Sequence, residues 1–261
     1  MLLAWLKEFW EYRELFYFLV WRDVKIRYKQ TVLGATWAVI QPFFMMVVFT
    51  VFFGRMAKMP SDGIPYPVFS YSALLPWTYF STALTHSGNS LLSGANLVRK
   101  VYFPRAALPA AASLGGMVDF GIAFVFLFGL MFYYDITPGL GLLLWPALLI
   151  PLVLLALGIG MFLAALNVKY RDIKYAIPFL IQALLFVTPI IYPTSIAPER
   201  FRVLLALNPL TGLIEAFRAS ALPGKEMDWP LLGLSVAITI VIFVAGALYF
   251  RKTEREFADV I

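Results

Sequence analysis

The sequence contains no cysteine and a single histidine, His86. The first absence excludes disulfides, thiolate metal sites and a cysteine nucleophile. The second leaves His86, in "THSGNS", with no clustered carboxylates around it, a poor basis for a metal or acid–base centre. Charge is scarce too: 14% of the 261 residues are Asp, Glu, Lys or Arg, against ~25% in soluble domains. No P-loop, H-E-x-x-H or Gly-rich nucleotide fingerprint occurs. No catalytic, cofactor-binding or metal-binding residue is therefore expected, and no energy source on this chain. No internal repeat, low-complexity tract or soluble linker divides it, so a single membrane domain is expected. The N-terminus does not read as a cleavable signal, because Lys7, Glu8, Glu11, Arg13 and Glu14 interrupt its apolar core.

What the sequence has instead is apolar length. Hydrophobic residues make up 61% of it, and the mean hydropathy is +0.81. These are the marks of an integral membrane protein. Its runs read as helices, since a barrel would show ~10-residue alternating segments. The expected fold is all-α with six membrane spans of about 20 residues each. They are placed near 32–54, 68–84, 108–134, 140–166, 176–192 and 230–250. With both termini inside, 15 of the 21 Lys and Arg fall on the internal pieces and 6 on the external ones. That bias supports the orientation by the positive-inside rule. The net charge of +6 is then a topology and lipid signal rather than a sign of nucleic-acid binding.

Residues 1–30 are too charged to span and too aromatic for an ordinary soluble helix. Trp5, Phe9, Tyr12, Phe16 and Leu19 recur at helical spacing with Lys7, Glu8, Glu11 and Glu14 between them. This predicts an amphipathic helix lying in the membrane surface. Arg22, Lys25, Arg27 and Lys29 form a basic cluster at its end.

A charged island, "NLVRKVYFPRAALP" (96–109), separates two apolar runs and holds Arg99, Lys100 and Arg105 with no acidic residue. Read as a helix, it puts Leu97, Val98, Val101 and Tyr102 on one side, and Arg99, Lys100 and Phe103 elsewhere. Pro104 should stop the turn. Two readings stand: a docking helix, or a basic loop that only fixes topology.

The loop before the last span, 194–229, is too long for a simple connector. Asn208-Pro209 is a turn signal. Thr211 is expected to cap a helix from Gly212 to Leu222, on which Glu215 and Arg218 are spaced to pair. Such short apolar segments suggest re-entrant or interfacial helices. Either an external gate or a helix closing the bundle fits.

Within the spans, Asp119 is costly in lipid and invites a functional role, although no basic partner is visible in another span. Gly115 and Gly116 beside it also suit a helix contact. Gln41-Pro42 in the first span, and Gln182 and Pro189 in the fifth, place polar groups where only protein or a cavity tolerates them. With Trp37, Phe44, Phe179 and Phe186, these residues mark the first and fifth spans as pathway candidates. Packing against neighbours is the competing reading.

Four blocks in order resemble one family. They are "RYKQTVLGATWAVIQPFFMMVVFTVFFG" (27–54), "NLVRKVYFPRAALP" (96–109), "YRDIKYAIPFLIQALLFVTPIIYP" (170–193) and "NPLTGLIEAFRASAL" (208–222). Together they are similar to the permease subunits of type-2 ABC exporters for polysaccharides such as O-antigen, teichoic acid or capsule. The resemblance implies an interface helix at 1–30 and a six-helix transmembrane domain over 31–261. It implies a coupling helix at about 95–106, and external gate helices at about 198–222 around Asn208, Pro209, Glu215 and Arg218. Asn96, Leu97, Arg99, Lys100, Tyr102, Phe103 and Arg105 would then meet a separate ATPase chain, which holds ATP and Mg. Trp37, Gln41, Phe44, Phe179, Gln182 and Phe186 would line the substrate path. Arg22, Lys25, Arg27 and Lys29 would meet the pyrophosphate of a lipid-linked glycan. The implied partners are a second copy of the chain, two ATPase subunits, the glycan and the bacterial cytoplasmic membrane. The alternatives are a type-2 permease for a drug or small lipid, a proton-coupled carrier using Asp119, and a transferase acting on lipid-linked sugars, whose carboxylate or histidine cluster is not found.

Overall fold

The computed structural model describes residues 10–29, 34–170, 172–254 and 257. Trp5, Lys7, Glu8 and Phe9 of the expected surface helix, and the start of the first span at 32–33, lie outside them. Among the described residues the secondary structure is entirely helical. In chain order the helices are α1 (Arg13–Tyr28), α2 (Trp37–Phe49), α3 (Tyr66–Ser93), α4 (Ala95–Lys100), α5 (Ala107–Leu114) and α6 (Met117–Tyr133). They continue with α7 (Trp145–Lys169), α8 (Ile173–Val187), α9 (Glu199–Leu207), α10 (Pro209–Ala221) and α11 (Trp229–Thr253). A π-helical stretch, Thr50–Met56, extends α2.

Among the described residues four stretches are long and apolar enough to cross a membrane: 34–56, 107–133, 140–169 and 229–253. The expectation of six is not met on that measure, for two different reasons. α3 runs 28 residues, about 42 Å at 1.5 Å per residue, yet it is too polar. α8 is apolar but has 15 residues, about 22 Å, less than the ~30 Å of a hydrocarbon core. The fifth span was expected to reach residue 192. It stops at Val187 because Pro189 holds Thr188 extended.

The polarity of α3 has a physical explanation. It is the central helix, packed on α2, α5, α6, α7, α8 and α10, with the broadest contact to α7. Most of its buried hydroxyls bond back into its own backbone, Ser72 to the Phe69 carbonyl, Thr85 to Ser81 and Ser90 to Ser87, whereas the Ser87 hydroxyl finds no partner among the described residues. Its phenols reach neighbouring backbones, Tyr71 to Ala123, Tyr79 to Ser113 and Tyr66 to Ile191. Polar groups satisfied in this way can be buried at little cost. Across the α3–α7 contact, Asn167 donates to the Gly88 carbonyl and to Asn89 Oδ1.

The core falls into two clusters. The larger lies among α3, α6, α7 and α10, where Trp145 packs on Phe124 at 4.7 Å and Phe217 at 5.0 Å. The smaller lies at the end that carries the basic island. It gathers Leu19 of α1, Val98 of α4, Phe103, Ala107 and Leu108 of the following segment, and Phe250 and Phe257 at the C-terminal end.

Candidate functional site

The basic island folds differently from its expected wheel. Its helix ends at Lys100, and Val101 is already extended. The shared face of Leu97, Val98, Val101 and Tyr102 therefore does not form. Val98 is buried, whereas Tyr102 is 84% exposed. Asn96, Arg99 and Lys100 are exposed and Leu97 is half-buried. Phe103 is 4% exposed and belongs to the smaller core, so its ring is turned into its own chain. Arg105 is tied as well: its backbone N–H donates to Glu254 Oε1 at 3.0 Å, and its guanidinium donates to the Glu254 carbonyl. The outward surface of the island is thus Asn96, Arg99, Lys100, Val101 and Tyr102.

A polar cavity of about 340 Å³ is lined by Arg27, Tyr28, Trp37, Gln41, His86 and Asp119 among others. Asp119 does have a basic partner. It comes from α1 rather than from another span: Arg27 Nη1 meets Asp119 Oδ2 at 2.7 Å, and the Tyr28 hydroxyl donates to Asp119 Oδ1. Burial first, and then the Asp119 carboxylate, push the Tyr28 phenol well above its ordinary value. It therefore remains a donor. A second cavity of about 330 Å³ shares Arg27 and His86 and adds Arg22, Asp23, Ser90 and Ser93.

The four basic residues of the N-terminal cluster separate. Arg22 pairs with Asp23 at 2.8 Å and Arg27 with Asp119. Lys25 stands over the Trp21 ring at 5.4 Å, and Lys29 caps α1 exposed. Both cavity arginines already face a carboxylate, so any anion entering there must compete with Asp23 or Asp119.

The pathway candidates lie on two uncovered helix faces. Trp37, Gln41 and Phe44 are exposed at i, i+4 and i+7 on α2. Phe179, Gln182 and Phe186 are exposed at i, i+3 and i+7 on α8. Trp37 and Gln41 meet the polar cavity. Phe44 and the three α8 residues do not line it.

At the opposite end, α10 begins one turn earlier than expected. Asn208 is the cap: its side chain accepts from Leu210 N at 3.1 Å and donates to Thr188 Oγ1 at 3.0 Å. Pro209 follows at the first helical position. Thr211, expected to cap, lies inside the helix with a buried hydroxyl that finds no partner among the described residues. The Asn-Pro pair carried this signal, since Asn favours the cap and Pro the first turn.

α10 is almost wholly buried rather than interfacial. Its Arg218 is completely enclosed, paired with Glu215 Oε1 at 2.6 Å, bonded to the Ile190 carbonyl and stacked 3.9 Å from the Phe69 ring. Lys225 extends the network, bridging Glu215 at 2.8 Å and Asp62 at 3.2 Å. No local spacing announces Asp62 or Lys225.

Comparison with known proteins places this geometry. The family model described as ABC-2 type transporter matches residues 14–222. An O-antigen export system permease protein of Myxococcus xanthus is 30% identical over 98% of each chain. A protein of the same description from Klebsiella pneumoniae is 26% identical over 92% of each. A polysialic acid transport protein of Escherichia coli is 25% identical over 90% of this chain and 91% of its own. With a family model covering most of its length, an all-helical fold and several helices able to cross a membrane, the chain belongs to the ABC-2 type transporter membrane family.

Proposed function

We propose that this chain is the permease subunit of an ATP-driven exporter that moves a lipid-linked polysaccharide across the bacterial cytoplasmic membrane. The observation that carries this reading is the end-to-end match to O-antigen export permeases. The match to a polysialic acid transporter widens the substrate class to capsule-like glycans. In this reading α3 and α8 also cross the bilayer, α3 shielded within the bundle and α8 completed by the turn after Val187. Six crossings then place both termini in the cytoplasm.

Two copies would face each other across the uncovered faces of α2 and α8. Aromatic rings there suit stacking on sugars, and Gln41 and Gln182 supply hydrogen bonds. Two ATPase chains carrying ATP and Mg would bind below, against Asn96, Arg99, Lys100, Val101 and Tyr102. Phe103 and Arg105 would act from behind that surface by fixing its shape. A pyrophosphate reaching the cavity beneath α1 would exchange with Asp119 for Arg27, releasing α1 from α6. At the external end, α10 and the Glu215–Arg218 pair would frame the exit. The proton-carrier alternative is less well supported, because Asp119 is held by Arg27 and Tyr28.

The test is co-purification. The chain, tagged and extracted in mild detergent with its native neighbours, is expected to bring an ATPase chain in stoichiometric amount, lost in Arg99→Glu with Tyr102→Ala. Purification alone, with transport driven by a proton gradient, would contradict the reading.

A further inference from the structure

The last helix and the basic island are joined behind the surface proposed to meet the ATPase. Arg105 and Glu254 lie 149 residues apart. One of the two bonds between them is made by the backbone N–H of Arg105, so it locates the main chain rather than the tip of a long side chain. Two residues upstream, Phe103 is buried in the same small core as Phe250 and Phe257. Those last two rings meet edge-on at 5.3 Å. The segment leaving the island is therefore held to the end of α11 by a polar bond and an apolar contact together.

From that end α11 runs 25 residues without an internal proline after its first turn, about 37 Å at 1.5 Å per residue. Along the way it crosses α7 at backbone contact: a methyl group on Gly158 would lie 2.6 Å from the Phe243 Cα. Near its far end it presses on α10, where a methyl on Gly212 would lie 2.8 Å from the Leu231 carbonyl oxygen. Backbone-to-backbone contacts of this kind leave no side chain to absorb a displacement. α11 thus has the geometry of a rod, clamped at the island, bearing on α7 and ending against the helix that holds Glu215 and Arg218.

We infer that Glu254 is a positioning residue, which ties the basic island to α11 so that a push on the island is delivered by α11 to α10 at the opposite end of the bundle. The inference rests on the proposed function, in which an ATPase chain supplies the push. It adds a second route beside the direct connection of α4 to α3. The contacts form a continuous physical chain, and its two ends can be tested separately.

Glu254→Ala removes the acceptor for the Arg105 N–H, whereas Glu254→Gln keeps one. In the purified chain in nanodiscs, without any ATPase, amide exchange over 101–108 is expected to speed up about tenfold in Glu254→Ala, the scale of one lost hydrogen bond at a local opening. It should stay near wild type in Glu254→Gln. In the assembled transporter, Glu254→Ala is expected to lower export about tenfold, a typical coupling factor. ATP hydrolysis and co-purification of the ATPase should hold within about twofold of wild type, well below that factor. Unchanged exchange in Glu254→Ala would overturn the clamp. Full export despite loosened amides would overturn the transmission, and so would joint loss of export and ATPase binding, which marks a docking role. A Gln variant as impaired as Ala would remove the hydrogen bond as the cause. Absence of ATP-driven export in the wild type would remove the permease reading and the transmission with it, while the exchange data would still decide the clamp.

Discussion

Arg218 is the most consequential single residue in the fold. A guanidinium with no exposure survives in an apolar bundle because Glu215, the Ile190 carbonyl and the Phe69 ring surround it. Removing its carboxylate strands a buried charge, so Glu215→Ala should destabilise the protein by about 3–5 kcal/mol. Thermal unfolding in detergent checks this, and Glu215→Leu combined with Arg218→Met should recover most of the loss. The two neighbours Tyr102 and Phe103 separate surface from core. Phe103→Ala should cost about 3 kcal/mol through the cavity it opens. Tyr102→Ala should change stability by less than about 0.5 kcal/mol while weakening ATPase capture. The Glu215–Arg218 pair was legible from its spacing of three. The Arg27–Asp119 and Arg105–Glu254 pairs were not, because their partners lie 92 and 149 residues apart and meet only when helices pack. The burial of Phe103 was hidden for the same reason: a wheel drawn through Phe103 assumes a helix that ends at Lys100.

At the level of elements, hydropathy found the helices and misjudged what surrounds two of them. The ranges expected for the first, third, fourth and sixth spans fall on the four apolar stretches. α3 reads as a short span from sequence because the stretch after Leu84 is rich in polar residues, yet the helix continues to Ser93, where Ser90 and Ser93 turn their hydroxyls onto its own carbonyls. α10 reads as a re-entrant or interfacial helix from sequence, yet it is buried, since its charges pair internally and its small residues admit α11 closely. α1 shows how a surface helix is docked. Leu19 enters the small core, and Arg27 with Tyr28 grips Asp119. Asp119→Ala should weaken that docking by about 1–2 kcal/mol, a charge-assisted hydrogen bond discounted for partial exposure. Amide exchange should then rise in α1 and stay unchanged in α10, whereas a uniform rise would mean that Asp119 supports the whole bundle.

The molecule as a whole has an asymmetric distribution of cover. Its middle is packed, while α2 and α8 present aromatic and amide side chains that nothing among the described residues covers, with Phe179 at 71% exposure. In the proposed assembly these faces meet across a second copy. The absence of cysteine makes the test clean. Single replacements Phe44→Cys and Phe179→Cys should form cross-links between copies in native membranes, and Leu148→Cys, buried inside the chain, should not. Equal cross-linking at all three would point to random collisions.

As proposed, this chain moves a lipid-linked glycan only when an ATPase partner drives it. Translocation of a fluorescent lipid-linked glycan in proteoliposomes holding the chain and its co-purified partner measures this most directly. Transport is expected to require ATP, to be indifferent to a proton gradient and to fail when the partner's ATP hydrolysis is blocked. Transport by this chain alone, on a proton gradient and without ATP, would contradict it.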